Sequence, residues 1–280
     1  MRWNARDSVA IVTGASSGIG FELSLRLVQS GCHVVAVARR ENRLNALVET
    51  ARQRPSRQQQ RYDAQVVPVV GDVTREADRQ RAFSVADQIG DGRLDLLVNN
   101  AGIGAIGRFD EASEHRLRRV MEVNFFAPTQ WTRDAISRMS HSSQHASRRN
   151  APVICNIGSV LGHRAVPDKS EYCASKFALH GWNDSLRTEL ASQGITVTLV
   201  SPSTTQSEFF DTLVETDANV RSKSFGQWPA SRVARATLAA IRSRRSEVIL
   251  SLGGKALVYA DRLAPPLVSA VLTLGVEAEA

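Results

Sequence analysis

At 280 residues and with an ordinary apolar content, the chain is long enough to bury a sizeable core as one large domain or two small ones. Three cysteines, Cys32, Cys155 and Cys173, at no metal-like spacing argue against a disulfide framework or a cysteine metal site and for reduced thiols in a cytoplasmic setting. The net charge of +7 raises the question of nucleic acid or membrane, but the arginine-rich stretches 52–61 and 133–149 are interleaved with Gln, Ser and His rather than aromatics, and read as solvated loops with no specific nucleic-acid partner.

Short β-branched runs alternate with longer helical stretches. Met1 to Ser8 is polar and the apolar run after it is too brief for a signal peptide. Val9 to Thr13 reads as a strand, Gly18 to Ser30 as a helix stopped by Gly31, and His33 to Ala38 as a second strand. A helix follows from Glu41 to about Arg54, then a strand from Gln65 to Val70, a helix from about Arg75 to Ile89, and a strand from Leu94 to Asn99. One long helix is expected over about Ser113 to Met139, then a strand at Val153 to Ile157 and a helix from Ser170 to Leu190. Thr196 to Val200, Pro229 to Ser243 and Glu247 to Leu250 complete the series as strand, helix and strand. This rhythm implies βαβ units, and right-handed crossovers leave an α/β doubly wound parallel sheet with helices on both faces, a three-layer αβα arrangement of the Rossmann type. The main domain is expected over 1–252, with an apolar tail at 253–280. Stretches 52–63 and 141–152 read as enlarged loops, and the irregular stretch 203–228 should lie over the carboxyl ends of the strands.

Several motifs punctuate these elements. Thr13-Gly14-Ala15-Ser16-Ser17-Gly18-Ile19-Gly20 joins the first strand to the first helix, where glycines allow a backbone to approach a pyrophosphate at a helix N-terminus. The end of the second strand holds no acid for a ribose 2′-hydroxyl. It holds Arg39 and Arg40, and a guanidinium there suits a 2′-phosphate, so NADP(H) is favoured over NAD(H). Asp72, in Gly71-Asp72-Val73, can accept from an adenine amino group or cap the next helix. Asn99-Asn100-Ala101-Gly102 suits a turn passing close to a cofactor ribose. Asn124 lies inside the long helix, where asparagine is a mediocre former and is retained for hydrogen bonding. Ser159 leaves the fifth strand, and Tyr172 and Lys176 stand at i and i+4 on one helical face. Serine, tyrosine and lysine together make a proton-transfer device. A free phenol titrates near ~10, and a cation within about 4–6 Å lowers that value. Bringing it to roughly 7 takes about 4 kcal/mol, much of which one lysine can supply in a dry cleft.

The run TGASSGIG, GDV, NNAG, VNFF, GSV and YCASK, in that order from Val9 to about Pro202, resembles the short-chain dehydrogenase/reductase family. The resemblance implies a nicotinamide cofactor and hydride transfer to or from a carbonyl or secondary alcohol carbon. It implies Tyr172 as general acid/base, Ser159 as holder of the substrate oxygen, Lys176 as the residue that binds the nicotinamide ribose and lowers the tyrosine pKa, and Asn124 as holder of a relay water. Gly14, Ser16, Ser17, Gly18, Ile19, Gly20, Arg39, Asp72, Val73, Asn100, Ala101, Gly102, Tyr172, Lys176, Pro202 and Thr205 would contact the cofactor, and no metal is implied. A homodimer or homotetramer is implied by similarity, pairing through the long helix and the Tyr172 helix.

The sequence departs from the family pattern at Ser203, which stands where glycine is usual, and at Ser207, in place of a threonine. Gly158 stands where a second serine is frequent. Leu161, Val166, Phe209, Phe210 and Trp228 sit on segments expected to flank the site and point to an apolar carbonyl or alcohol substrate, while His163 reads as a lone loop histidine. Leu267 to Val276 is too short to span a bilayer, so the tail is expected to pack on the core or another subunit, with peripheral membrane contact as the alternative. The competing functional reading is a non-catalytic NADP-binding regulatory or scaffold protein on the same fold.

Overall fold

The computed structural model describes residues 2–53, 55–145, 151–206, 208–209, 213–215 and 227–277. Ser207 and Phe210, both singled out in the sequence, and much of the stretch 203–228 lie outside the described residues.

A seven-stranded parallel sheet organises the chain, in the order β3-β2-β1-β4-β5-β6-β9. Its strands are β1 (Ser8–Thr13), β2 (Cys32–Ala38), β3 (Val66–Val70), β4 (Leu96–Asn99), β5 (Val153–Ile157), β6 (Thr196–Ser201) and β9 (Glu247–Ile249). Helices cover both faces, so the inner strands are apolar at consecutive positions, as in Val9-Ala10-Ile11-Val12, all fully buried. The two-residue period then divides them. Ala10, Val12, Val34, Ala36, Leu96 and Val98 face one core with α1 (Gly18–Gln29), α2 (Glu41–Gln53) and α8 (Ala230–Arg242). Val9, Ile11, Val35, Val37 and Leu97 face the other with α4 (Glu76–Gly90), α5 (Glu114–Met121), α6 (Ala127–His145) and the end of α7 (Ser170–Glu189). The strand order reverses between β1 and β4, and the crevice outside their carboxyl ends is where ligands bind in such sheets.

Four local features differ from the sequence reading. The long helix is not continuous: α5 and α6 are separated by a π-helical turn, Glu122–Phe126. The wider turn turns Asn124 fully into the interior, and a side chain that must bond inward explains why the regular helix yields there. Stretch 52–63 contains a short helix, α3 (Arg57–Arg61), capped by Ser56 accepting from the Gln59 amide, and α6 runs on to His145. After β6, β7 (Thr205–Gln206) pairs with β8 (Trp228–Pro229). Trp228 therefore turns onto the α8 core, with the Arg232 guanidinium 3.8 Å from its ring centroid, and does not flank the crevice.

The tail forms α9 (Leu252–Leu263) and α10 (Pro265–Glu277). Ser251 caps α9 by accepting from the Gly254 amide at 3.0 Å. Gly254 lets the helix press on the turn after β5, since a Cβ there would stand 2.7 Å from Val160. Arg164 fastens the same turn to Asp261 of α9 at 2.7 Å and to Ser269 of α10 at 3.0 Å. Among the described residues no helix is long and apolar enough to cross a membrane.

Candidate active site

The crevice is a cavity of about 960 Å³ running from the β1–α1 turn to α9 and α10. Among the described residues, every one expected from the sequence to line the site does so except Gly20, Asn124 and Trp228. Gly20 sits beneath the β1–α1 turn, where a Cβ would strike the Gly14 carbonyl and the Asn100 side chain. Gly14 takes a left-handed φ of 66°, and a Cβ on it would lie 2.8 Å from the Ala101 Cα. The turn after β4 is thus bolted directly to the turn after β1. Asn100 donates to the Thr13 and Gly14 carbonyls at 2.9 and 3.1 Å, and Thr13 Oγ1 accepts from the Asn100 and Ala101 amides at 3.0 and 3.1 Å.

These features fit a dinucleotide. Ser17, the N-cap of α1, makes no capping bond with its side chain, which leaves amides of the first helical turn free for an anion. Ser17 Oγ instead accepts from Arg40 at 2.9 Å, and Ser16 Oγ accepts from the same guanidinium at 3.1 Å. Arg40 also grips the Glu208 carboxylate at 2.6 Å, and Arg43 grips its other oxygen at 2.7 Å. Arg39 lines the cavity beside them, exposed. The sequence offers Arg39 and Arg40 for the anion, with Arg39 as the expected cofactor contact. Arg40 and Arg43 carry the observed one, and Arg43 was missed because only the first turn of α2 brings it to the same corner.

Asp72 accepts from the Thr74 amide at 3.0 Å and hydroxyl at 2.7 Å. Burial by itself would raise its carboxyl, but the Thr74 bonds, with Arg119 and Arg39, hold it below the usual carboxylate range. Asp72 is therefore a local turn former that also lines the cavity. Its neighbour Val73 accepts from the indole of Trp131 at 2.9 Å.

At the inner end the strand β5, its following 3₁₀ turn (Val160–Gly162) and α7 bring Ser159, Tyr172 and Lys176 together. Ser159 is the N-cap of the 3₁₀ turn, its oxygen accepting from the Leu161 amide at 3.1 Å. It lines the cavity together with Tyr172. Lys176 Nζ donates to the Ile157 carbonyl at 3.0 Å and stands 5.7 Å from the Tyr172 ring centroid. Asn124 lies behind this group. It accepts from the Ile103 amide and donates to the Ile103 carbonyl, both at 2.9 Å, and donates to Ser175 at 3.0 Å. A Cβ on Gly102 would come within 3.2 Å of Asn124 Oδ1 and 3.8 Å of Lys176 Nζ, so that glycine keeps the space between them open.

The electrostatics correct one expectation. The i, i+4 spacing led to a phenol lowered by the lysine, but burial pushes Tyr172 up to about 12, with the neighbouring Ser159 side chain opposing it. Burial also pulls Lys176 down to about 8. Both shifts favour the neutral form, as desolvation dictates, and the ammonium is directed at Ile157 rather than at the phenol oxygen. A buried polar chain also escaped the sequence reading: Asn99 donates to Asn156 at 2.8 Å, and Asn156 to Asn183 at 2.9 Å, tying β4, β5 and α7 beneath the site. Each asparagine alone carries no signal of that pairing.

Residues 8–218 match the family model for short chain dehydrogenases. An uncharacterized oxidoreductase, YxnA, of Bacillus subtilis is 31% identical over 94% of this chain and 70% of its own length. A short-chain dehydrogenase of Sphingobium yanoikuyae, solved with NADPH, superposes with a TM-score of 0.74 at 28% identity, covering 94% of this chain and 95% of that one. A short-chain dehydrogenase/reductase of Burkholderia phymatum, solved with NAD, has the same fold with a TM-score of 0.77 at 24% identity over 95% and 96% of the two chains. The chain belongs to the short-chain dehydrogenase family of NAD(P)-dependent oxidoreductases.

Proposed function

We propose that the chain transfers a hydride between NADP(H) and an apolar carbonyl compound or secondary alcohol, with Tyr172 as the proton donor and acceptor. The observation that carries this reading is the convergence of Ser159, Tyr172 and buried Lys176 on the lining of one cavity large enough for a dinucleotide and a substrate. When bound, the nicotinamide supplies or accepts the hydride. Gly14, Ser16, Ser17, Gly18, Ile19, Asp72, Val73, Asn100, Ala101, Gly102, Pro202 and Thr205 would hold the cofactor along the crevice, with Gly20 supporting the turn from below. In reduction, the Ser159 and Tyr172 hydroxyls stabilise the charge growing on the substrate oxygen, and Tyr172 then gives up its proton. A phenol kept protonated by burial is suited to donate. In oxidation it must first lose that proton, and a charged Lys176 favours this. Asn124 positions the Ile103 backbone and Ser175 beside Lys176, and any relay water would lie in the space that Gly102 leaves open.

The preference for NADP(H) is supported by the corner of Arg39, Arg40 and Arg43. There the Glu208 carboxylate already receives two guanidinium groups, an anion in the geometry a 2′-phosphate would share. Solved relatives carry NADPH in one case and NAD in another, so the argument rests on this chain's own arginines. Ile103, Ile106, Leu161, Val166, Phe209 and Leu257 line the cavity and favour an apolar substrate. Assembly as a homodimer or homotetramer through α5–α6 and α7 belongs to the same proposal, because Phe126, on the turn joining α5 to α6, and Phe177 of α7 are 45% and 44% exposed.

The test is oxidation of NADPH and of NADH over a panel of aliphatic, aromatic and polycyclic carbonyls. Turnover should favour NADPH, and Arg39→Ala with Arg40→Ala should cut kcat/KM for NADPH by roughly 10–100-fold while leaving NADH nearly unchanged. A wide preference for NADH, or no turnover with either, defeats this assignment.

A further inference from the structure

Behind the Ser159 turn, one helical turn beyond Lys176 on α7 and outside the cavity lining, two histidines and a glutamate from three different elements converge. His163 follows the 3₁₀ turn, His180 is on α7 and Glu247 opens β9. His163 Nε2 and His180 Nε2 lie 3.4 and 4.0 Å from the same glutamate oxygen, and the two ring centroids are 4.3 Å apart. The steps of hydride and proton transfer use none of them.

The hydrogen-bonding pattern leaves these atoms short of a cation. His180 Nδ1 is 3.0 Å from the Gly162 carbonyl, which can only accept, so that nitrogen carries a proton and Nε2 is the one left to offer a metal a lone pair. The lone pair faces Glu247 Oε1 and, at 3.5 Å, the Asp184 carboxylate, which are also acceptors. Glu247 Oε1 is buried without a hydrogen-bond partner, and so is His163 Nδ1. The His163 side chain is 1% exposed. Ser201 Oγ, 2.9 Å from His163 Nε2, is a rotatable hydroxyl that can satisfy this nitrogen or swing away from it.

We propose that His163, His180 and Glu247 bind one divalent cation of the zinc class, clamping the Ser159 turn to α7 and β9. Four-coordinate zinc with bonds of about 2.0–2.2 Å sets its ligand atoms roughly 3.3 Å apart. The His163–Glu247 pair already has that spacing, and a small rotation of the His180 ring closes the rest. Two imidazoles and one carboxylate suit zinc rather than magnesium or calcium, which take oxygen ligands. The fourth position is open to water or to Asp184. The clamp reaches the catalytic group at Gly162, next to His163, which packs so closely that a Cβ on it would stand 2.7 Å from the Lys176 carbonyl oxygen. The sequence reading saw His163 as a lone loop histidine because the partners come from separate elements.

The test uses the full chain, freed of metal by chelation and titrated with Co²⁺, and separately with Zn²⁺ in a calorimeter. Glu247→Gln and His180→Ala are the variants, both at partly exposed positions, with their fold verified by circular dichroism. The unsubstituted chain should take up one equivalent, with the intense visible absorption of low-coordinate Co²⁺, and Zn²⁺ should raise its melting temperature. Each variant should bind at least ten times more weakly and lose both signals. Uptake equal in the unsubstituted chain and both variants would place the ion elsewhere and overturn the proposal. So would absence of uptake at millimolar metal, which would leave a proton shared within the cluster as the only cation there.

Discussion

Tyr172 and Lys176 are adjacent on one helical face, and the same burial acts on them in opposite senses, raising the phenol to about 12 and lowering the amine to about 8. For the lysine this has a stability consequence. Between pH 8 and its unfolded value of 10.5 the unfolded chain keeps a proton that the folded chain releases, so stability from this residue rises with pH across that window. Below pH 8 the full cost of the buried charge is present. Lys176→Met should therefore raise stability at pH 7 by roughly 1–3 kcal/mol, less what the Ile157 carbonyl loses, with the gain fading toward pH 10.5. Denaturant unfolding at the two pH values measures this, and the same variant should have lost turnover. Tyr172→Phe should lower turnover by ~10²–10⁴-fold with cofactor affinity nearly unchanged, read by fluorescence titration. Near-normal turnover in that variant would falsify its role as acid and base.

At the level of elements, the break between α5 and α6 joins fold to site. A regular helix through Glu122–Phe126 would rotate Asn124 away from Ile103 and Ser175, and the π turn spends one wider turn to keep those bonds. The same turn presents Phe126 outward, while Phe177 stands exposed on α7 one residue beyond Lys176. A large ring exposed on this turn and another on the neighbouring α7 are the seam proposed between copies of this chain. The double substitution Phe126→Glu, Phe177→Glu should convert the assembly to a monomer in light scattering while preserving the melting transition. A monomer already in the unsubstituted chain removes the assembly proposal.

For the whole molecule, the tail is where packing and function meet. Gly254, Leu257 and Val271 help wall the substrate end of the cavity, while Leu252 and Leu263 of α9 are 85% and 86% exposed. Truncation after Leu250 should raise KM for large apolar carbonyls at least tenfold by opening that wall, with a smaller change in cofactor affinity, measured by steady-state kinetics. Vesicle co-sedimentation of the full and truncated chains should be equal if the tail packs on its own core, and a loss on truncation would point to a membrane surface instead.

What the sequence determined by itself was set by local rules. Strand and helix periods, the left-handed glycine of the first turn, and the i, i+4 placement of Tyr172 and Lys176 depend on neighbours within a few residues, so TGASSGIG, NNAG and YCASK could be read with their elements attached. Tertiary structure alone decided which arginines meet at Glu208, how Asn99, Asn156 and Asn183 pair, that α9 walls the cavity, and that His163 has two partners. It also decided the direction of the Tyr172 shift. The reason is common to all of these: desolvation and contact between distant segments depend on how the chain closes on itself, and no spacing along it records how deeply a group is buried.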